Sequence, residues 1–204
     1  STPMQAPKLV KVTLNMGVRW EPYFGQNVDN GAIAGLLAAL VMKGERPEEI
    51  AGLARTMREH AVALMTPPGD VFDTCGTGGD RSGTFNVSSA AAVVVAACGV
   101  KVAKHGNRSV SSRCGSADVF EQLGVNVTAS PQVVEQTLRQ ANIAFFFAPT
   151  FHPSMKHAGP IRREMGIRTT FNLLGPLTNP AGATRQIVGV PRPELTQVMA
   201  RALM

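Results

Sequence analysis

The chain has 204 residues, of which 44% are hydrophobic, and it carries a formal net charge of +6 with a pI near 9.7. This length and apolar content suffice to bury a core in one domain, or in one domain and a small appendage. No apolar run reaches the ~18 to 20 residues of a membrane span, and the first residues lack the apolar core of a secretory signal.

The cysteines and the charge restrict the function classes. Three cysteines without CxxC spacing argue against a disulfide framework or a zinc site, and for a cytoplasmic location. The positive net charge is consistent with binding either nucleic acid or a small phosphorylated substrate. With one Trp, one Tyr and no basic block longer than Arg162-Arg163, a nucleic-acid surface is not expected. A small phosphate-bearing substrate is favoured.

Two helices are predicted first along the chain. Residues 32–42 are apolar nearly all round, and Lys43-Gly44 ends the helix with a cation and a C-cap glycine. The next helix has Pro47 in its first turn, followed by Glu48 and Glu49 near its positive end. Its apolar positions keep helical spacing at Ile50, Leu53, Met57 and Leu64. Residues 66–69, Thr-Pro-Pro-Gly, mark a candidate domain boundary.

After this boundary, short apolar strands alternate with helices. The predicted strands are 71–74, 100–103, 143–148 and 186–190. The predicted helices are 87–98, 117–123 with Ser116 as cap, and 131–140 after the cap Ser130. This alternation predicts right-handed βαβ units and an α/β domain with a mainly parallel sheet. Ligands of such sheets lie beyond the carboxyl ends of the strands, where both Gly-rich segments fall.

The first loop, residues 76–80 (GTGGD), follows the first strand. A dinucleotide fingerprint requires glycine where Arg81 stands, and a Walker loop requires Gly-Lys-Ser/Thr where Arg-Ser-Gly stands. The loop can still present bare backbone amides to an anion, with a helix N-terminus behind it. A tight turn with ordinary helix capping by Asn86 or Ser88 is the alternative.

The second loop, residues 104–112 (KHGNRSVSS), combines two cations, an Asn and three serines. Arg can bind a phosphate with two parallel hydrogen bonds, and Lys supplies a compact charge. A solvated basic loop is the alternative. The occurrence of both loops at strand ends favours a phosphate site.

Several motifs in register resemble one family. GTGGD, TFNVSSAAA, KHGNRSVSS, GSAD and HPSMKHAGPIRREMGIRTTFNLLGPLTNPAG closely resemble the anthranilate phosphoribosyltransferases of tryptophan biosynthesis, over residues 31–204. The resemblance implies a glycosyltransferase with a helical domain (1–68, of which 1–30 are atypical), joined by a helix around 153–165. It implies an α/β phosphoribosyl-binding domain (69–204) of the nucleoside phosphorylase/phosphoribosyltransferase type, a homodimer, and Mg²⁺ as cofactor.

The resemblance also implies the reaction and its site. Phosphoribosyl pyrophosphate would transfer its phosphoribosyl group to the amine of anthranilate, giving N-(5-phosphoribosyl)anthranilate and pyrophosphate. The implied phosphoribosyl pyrophosphate residues are Gly76, Gly79, Asp80, Thr84, Asn86, Val87, Ser88, Ser89, Lys104, His105, Gly106, Asn107, Arg108, Ser109, Val110, Ser111, Ser112 and Ser116. The implied anthranilate residues are Gly76, Asn107, Arg162, His152 and Met155, and the implied metal ligand is Ser88.

Breaking the bond to pyrophosphate develops negative charge on the leaving oxygens, which fixed donors and Mg²⁺ stabilise. Lys104 and Arg108 are the expected transition-state stabilisers. No general base is assigned, since an aromatic amine needs little activation; His105 is a candidate, with a hydrogen-bonded loop histidine as the alternative. Cys75 and Cys114 flank the site, and Cys98 is expected in the core.

The sequence departs from the family at both ends. The opening residues do not match the family's usual helices, and the family's acidic Asp-Glu pair, which completes the magnesium site, lies beyond residue 204. The chain alone is therefore expected to turn over poorly. A pyrimidine nucleoside phosphorylase-like enzyme and a non-catalytic nucleic-acid-binding relative are the alternative functions.

Overall fold

The structure is a computed structural model, and it describes residues 30–66, 68–78, 83–109 and 114–204. It begins with helix α1, Asn30–Lys43, and helix α2, Pro47–Glu59. The backbone N–H of Arg46 donates to Oε2 of Glu49 at 3.0 Å, which secures the first turn of α2. Both helices confirm the predicted pair of elements.

The prediction that Leu64 continues α2 is wrong, because the helix ends at Glu59. Beyond it the backbone N–H of Val62 donates to the carbonyl of Phe151 at 2.8 Å. Val62 and Leu64 then pack against the sheet core. The apolar spacing of Leu64 therefore reflects burial after a change of direction, and not a further helical turn.

Within the described residues, four parallel strands form one sheet. They are β1 (Phe72–Asp73), β2 (Val102–Gly106), β3 (Ile143–Phe147) and β4 (Arg185–Gln186). Their order is β3-β2-β1-β4, and each neighbouring pair is parallel. The predicted parallel α/β sheet is confirmed, with shorter strands than expected at β1 and β4. Strand β2 runs three residues further than predicted, because Lys104, His105 and Gly106 pair with Phe145, Phe146 and Phe147.

Helices connect and cover the strands. They are α3 (Val87–Ala97), α4 (Ser116–Gln122), α5 (Pro131–Ala141), α6 (Ala148–Phe151), α7 (Met155–Met165), α8 (Phe171–Leu174), a 3-10 helix (Gly175–Leu177) and α9 (Glu194–Leu203). Among the residues that the structure describes, no helix combines the length and the apolar character needed to cross a bilayer.

Three local expectations are corrected. Ser116 is the first residue of α4 and not its cap; Gly115 holds that place, and its N–H donates to Oδ2 of Asp118 at 2.7 Å. Ser130 precedes α5 as predicted, but its side chain makes no capping hydrogen bond. Cys98 is exposed at the end of α3 and does not lie in the core.

The core lies on both faces of the sheet. One cluster joins Val71, Ala103 and Phe146 to Val134 and Leu138 of α5. The opposite cluster packs Phe145 and Phe147 against residues of α4. The alternation of these side chains along β3 is what a strand buried on both faces requires.

The helices outside the sheet form two further clusters. Helix α2 packs against α8 and α9 through Ile50, Leu174 and Met199. Helix α7 packs on α1, where Ile161 contacts the cluster of Ile33 and Leu37. The packing of α7 on α1 is observed directly, whereas the domain division near residue 68 stays a prediction.

Candidate functional site

The two Gly-rich segments leave the carboxyl ends of adjacent parallel strands, β1 and β2. Asp73, the last residue of β1, is fully buried between them. Its Oδ1 accepts the backbone N–H of Cys75 at 3.0 Å and that of His105 at 3.2 Å. One carboxylate thus joins the start of the first loop to the end of β2.

The first loop packs closely against the chain that follows β4. A Cβ on Gly76 would lie 2.9 Å from the carbonyl oxygen of Gly189, so no larger residue fits without a shift. That same carbonyl accepts the backbone N–H of Thr77 at 2.9 Å. The glycine at position 76 is therefore required by a backbone-to-backbone contact.

The first turn of α3 is connected to the end of β1. The hydroxyl of Thr74 donates to the carbonyl of Ser88 at 2.7 Å. Oδ1 of Asn86 accepts the hydroxyls of Ser89 at 2.9 Å and Ser88 at 3.3 Å. The amino end of α3 therefore stands behind the first loop, and it carries hydroxyl oxygens whose lone pairs are available to a cation.

The residues at the amino end of α3 fit a Mg²⁺ site in part. The hydroxyl of Ser88 is a hard oxygen donor of the kind that Mg²⁺ prefers. Within the described part of the chain, no carboxylate contacts Ser88 or Asn86. The donor type fits the ion, while further ligands would have to come from substrate oxygens or from residues outside this part.

The second loop begins inside the sheet. Lys104 is 1% exposed, and its Nζ donates to the carbonyl of His105 at 2.7 Å. A Cβ on Gly106 would meet Oγ of Ser116 and would lie 2.8 Å from Cζ of Phe145. The absence of a side chain at Gly106 therefore allows β2 to pack closely against α4 and β3.

Arg108 lies on the surface and is held by two carboxylates. Its Nη1 and Nη2 donate to the two oxygens of Glu121 at 2.7 and 2.8 Å, and Nη1 also contacts Oδ1 of Asp118 at 3.1 Å. These hydrogen bonds, those to Glu121 above all, raise the pKa of Arg108. An anion that binds Arg108 must therefore compete with Glu121.

Asp118 closes the second loop. Its Oδ2 accepts the backbone N–H groups of Gly115 at 2.7 Å and Ser109 at 3.3 Å. These backbone bonds, that of Gly115 first, lower the pKa of Asp118. The hydroxyl of Ser116 donates to the carbonyl of Asn107 at 3.4 Å, which adds a second connection across the loop.

Two buried histidines meet beside the end of β2. Nδ1 of His105 lies 2.9 Å from the carbonyl oxygen of Gly175, so Nδ1 carries the proton and Nε2 is the free acceptor. His152 is 2% exposed, and its ring centroid lies 5.3 Å from that of His105. Burial lowers the pKa of each ring to about 4, so both are neutral at neutral pH.

The free nitrogens of this pair have no hydrogen-bond partner among the described residues. They are Nε2 of His105 and both ring nitrogens of His152. Backbone groups of Thr178 and Met57 lie near His152 without completing a hydrogen bond. Since a buried polar atom without a partner is unfavourable, these nitrogens point to a ligand or water at this position.

Arg162 of α7 has no acidic partner within the described residues. Its guanidinium lies 5.1 Å from the ring centroid of Phe171, and burial lowers its pKa. Met155 is the first residue of the same helix and is half-buried. The cation is therefore partly desolvated and able to receive an anion from outside the chain.

The structure connects some of the predicted site residues and not others. It joins the first loop, the amino end of α3, His105 and His152 through direct contacts. Met155 is joined to this group, because its backbone N–H donates to the carbonyl of His152 at 3.0 Å. Among the described residues, no hydrogen bond joins the side chains of Arg162 and Asn107 to it. Thr84 and Val87 lie beside Asn86, with Val87 exposed. Several predicted residues lie outside the described ranges: Gly79, Asp80, Val110, Ser111 and Ser112.

One cluster has the composition of a metal centre. Ligand atoms of Asp73, Cys75 and His105 all lie within 4.8 Å of one another. However, N–H donors already occupy the carboxylate of Asp73. Burial raises the pKa of the Cys75 thiol to about 12, which keeps it neutral. The cluster is therefore better described as a hydrogen-bonded connection than as a metal site.

Sequence reasoning missed two residues that organise this region. Asp73 lies three positions before Gly76, the first residue of the first loop, and its place in a predicted strand that leads into that loop was a usable signal. Asn179 lies 106 positions later, and its Nδ2 donates to Oδ2 of Asp73 at 2.8 Å. No local pattern indicates that pairing, because the two residues meet only in the folded sheet.

Two family descriptions match the chain. Residues 68–204 match "Glycosyl transferase family, a/b domain", and residues 21–61 match "Glycosyl transferase family, helical bundle domain". The anthranilate phosphoribosyltransferase of Methanosphaerula palustris is 56% identical over 176 residues, which are 85% of this chain and 52% of that protein. The chain thus spans about half the length of the curated relatives it matches.

Solved structures agree with these matches. Anthranilate phosphoribosyltransferase from Thermus thermophilus superposes with a TM-score of 0.80 at 52% identity, over 86% of this chain and 54% of that one. The Saccharomyces cerevisiae enzyme in complex with PRPP and Mg gives a TM-score of 0.76 at 34% identity. The match covers 85% of this chain and 49% of the yeast chain. The prediction of a helical domain and an α/β domain with a parallel sheet is confirmed, because these structures share that fold. The chain belongs to the glycosyl transferase family that the matched helical-bundle and α/β domains define.

Proposed function

We propose that this chain is the phosphoribosyl pyrophosphate-binding portion of an anthranilate phosphoribosyltransferase. The observation that carries the proposal is the connection, through Asp73, of two Gly-rich segments at the carboxyl ends of adjacent parallel strands. The amino end of α3 stands behind them, where its amides favour an anion. The similarity to enzymes with this activity supports the same conclusion.

The reaction joins two small molecules at one carbon atom. The amine lone pair of anthranilate attacks C1 of phosphoribosyl pyrophosphate, and the C1–oxygen bond breaks with its electron pair leaving on pyrophosphate. The amine then loses one proton to solvent. Fixed donors that hold the leaving oxygens lower the barrier without any nucleophilic side chain.

The amino end of α3 and the first loop would hold the pyrophosphate. Their donors would be the backbone amides of residues 76–78 and the side chains of Thr84, Asn86, Ser88 and Ser89. The hydroxyl of Ser88 would be a ligand of Mg²⁺, which when bound would neutralise charge on the leaving pyrophosphate. The complex of the yeast relative with PRPP and Mg supports this assignment.

The second loop would form the other wall of the phosphate site. Lys104 would act mainly through its charge, since its ammonium is buried next to the backbone of His105. Arg108 would exchange part of its contact with Glu121 for a substrate oxygen. Both cations oppose the negative charge that develops as pyrophosphate leaves.

Anthranilate would bind between the two loops and α7. Arg162 would pair with its carboxylate, an assignment supported by a half-buried cation without an acidic partner among the described residues. His152 and Met155 would line the approach, and Asn107 and Gly76 would contact the ring or carboxylate. The unpartnered nitrogens of His105 and His152 fit a polar group at this position.

The same proposal includes a homodimer and a cytoplasmic location. Exposed apolar side chains at the end of α1, Val41 at 37% and Met42 at 85%, provide surface for a second copy. Cys75, Cys98 and Cys114 form no disulfide, which fits a reducing compartment. Neither the nucleoside phosphorylase nor the nucleic-acid alternative is favoured by the relatives found.

Calorimetric titration of the chain tests the proposal. Phosphoribosyl pyrophosphate and inorganic pyrophosphate should each bind, more tightly with Mg²⁺ than without it. An oligonucleotide, titrated separately, should bind only weakly and lose affinity steeply with salt. Binding of the oligonucleotide without binding of either pyrophosphate compound would contradict the proposal.

A further inference from the structure

We propose that Asp73 is a positioning residue, which sets the two Gly-rich loops relative to one another and is itself oriented by Asn179. The inference rests on the proposed function, because it concerns how the pyrophosphate site is held in shape. Neither Asp73 nor Asn179 is among the site residues expected from the sequence. Both are buried, Asp73 at 0% and Asn179 at 2% exposure.

The carboxylate of Asp73 receives three donors from three different parts of the chain. Oδ1 accepts the N–H of Cys75 in the segment entering the first loop and the N–H of His105 at the end of β2. Oδ2 accepts Nδ2 of Asn179, which follows the 3-10 helix. Removal of this single side chain would therefore remove a hydrogen bond from each of three segments at once.

Asn179 has only one orientation that satisfies its neighbours. Its Nδ2 donates both to Oδ2 of Asp73 and to the carbonyl of Ala103, each at 2.8 Å. Its Oδ1 accepts the backbone N–H of Ala181 at 2.8 Å. A flipped amide would set a donor against the Ala181 N–H, so the observed hydrogen bonds fix the direction of the bond to Asp73.

The ionised form of Asp73 fits these contacts. All three partners are donors, and none requires the carboxyl to carry a proton. Burial raises the pKa of Asp73, while the nearby charge of Lys104 and the three hydrogen bonds oppose that rise. A buried carboxylate is unfavourable without such partners, which explains why the donors converge on it.

The consequence for the site follows from geometry. The N–H of Cys75 is held one residue before Gly76, so Asp73 determines where the backbone amides of the first loop point. Misplacement of a binding group by about 1 Å can weaken catalysis by about 100-fold. Asp73 would thus act on pyrophosphate through the loops, without touching it.

Two substitutions at aspartates of similar sequence position test the proposal. In Asp73→Asn, Oδ1 still accepts both backbone N–H groups, but an amide nitrogen then faces Nδ2 of Asn179. Asp70→Asn is the matched control, because Asp70 lies before β1 and makes exposed contacts to Thr184 and Arg185. The affinity of each folded variant for inorganic pyrophosphate with Mg²⁺ is measured by calorimetry, and its stability by urea unfolding.

We expect Asp73→Asn to weaken pyrophosphate binding about tenfold or more, with Asp70→Asn near wild type. The amide resonances of Cys75 and His105 should also move in ¹H–¹⁵N spectra of Asp73→Asn alone. Wild-type affinity in a folded Asp73→Asn variant would overturn the positioning role. If the wild-type chain itself does not bind pyrophosphate, the proposed function fails and not this inference alone.

A double variant separates positioning from mere stability. In Asp73→Asn with Asn179→Asp, the amide at position 73 can donate to the carboxylate at position 179, which restores the hydrogen bond in the reverse direction. The carbonyl of Ala103 then loses the donor that Asn179 supplies. Binding should recover in part relative to Asp73→Asn. Recovery of stability without any recovery of binding would overturn the proposal. If Asp73→Asn does not fold, Asn179→Ala is tested instead. Wild-type affinity for pyrophosphate in a folded Asn179→Ala variant would also overturn the positioning role.

Discussion

The imidazole rings of His105 and His152 lie 5.3 Å apart between centroids, with 59° between their planes. Both rings are buried, and burial lowers the pKa of each to about 4. The proximity of His105 lowers the pKa of His152 further. A proton on either ring would therefore be unfavourable in the folded chain.

This pair predicts a loss of stability in acid. The unfolded histidines titrate near ~6.5, so between pH 6.5 and about 4 the unfolded chain binds more protons than the folded one. The free energy of unfolding is then fully present above pH ~6.5 and falls as the pH falls towards 4, by roughly 2 to 3 kcal/mol per ring. Asp73, whose pKa is raised by burial, partly offsets this loss at the acid end, because its protonation favours the folded state.

Urea unfolding across this pH range measures the effect. His152→Gln should flatten the dependence by about half, because it removes one of the two buried rings. Parallel curves for His152→Gln and the wild type would show that the buried pair does not control acid stability.

Arg162 should determine anthranilate binding and not phosphate binding. Arg162→Ala should weaken anthranilate by about 2 to 4 kcal/mol, since a desolvated ion pair is lost, and should leave phosphoribosyl pyrophosphate nearly unaffected. The neighbouring Arg163 is exposed, so Arg163→Ala is the matched control. Aniline, which lacks the carboxylate, should bind the wild type and Arg162→Ala equally. An equal loss for both substrates would place Arg162 outside the anthranilate site.

Glu121 should compete with substrate for Arg108. Because Glu121 accepts both terminal nitrogens of Arg108, Glu121→Gln should free the guanidinium and tighten pyrophosphate binding a few-fold. The pair is exposed, so the free energy of unfolding should change little. Glu59→Gln, at an exposed position at the end of α2, provides the control for loss of one negative charge. Weaker binding in Glu121→Gln would mean that Glu121 orients Arg108 productively instead of competing.

Gly76 should not tolerate even a methyl group. In Gly76→Ala the new Cβ would lie 2.9 Å from the carbonyl of Gly189, and the resulting shift should cost about 1 to 3 kcal/mol. Gly35→Ala is the control, because its Cβ meets no atom within 4 Å and a helical Gly-to-Ala change should stabilise by about 0.5 to 1 kcal/mol. Urea unfolding of both variants should show a lower free energy of unfolding for Gly76→Ala and a higher one for Gly35→Ala. A neutral Gly76→Ala would show that the chain after β4 moves freely.

The sequence alone was sufficient for the elements whose signals are local. Lys43-Gly44 at the end of α1, Pro47 at the start of α2 and the glutamates in the first turn of α2 all act within one helical turn. The alternation of strands and helices likewise predicted a parallel sheet, because βαβ crossovers impose that arrangement. The position of both Gly-rich loops at strand ends followed from the same rule.

Tertiary structure alone decided where elements end and which residues organise the site. Strand β2 extends to Gly106 because Phe147 of β3 offers it a parallel partner. The bond from Asn179 to Asp73 joins residues 106 positions apart, and the contact of Gly76 with Gly189 spans a similar distance. Local periodicity carries no information on such contacts, because hydrogen bonds and close packing between distant segments depend on how the sheet brings them together.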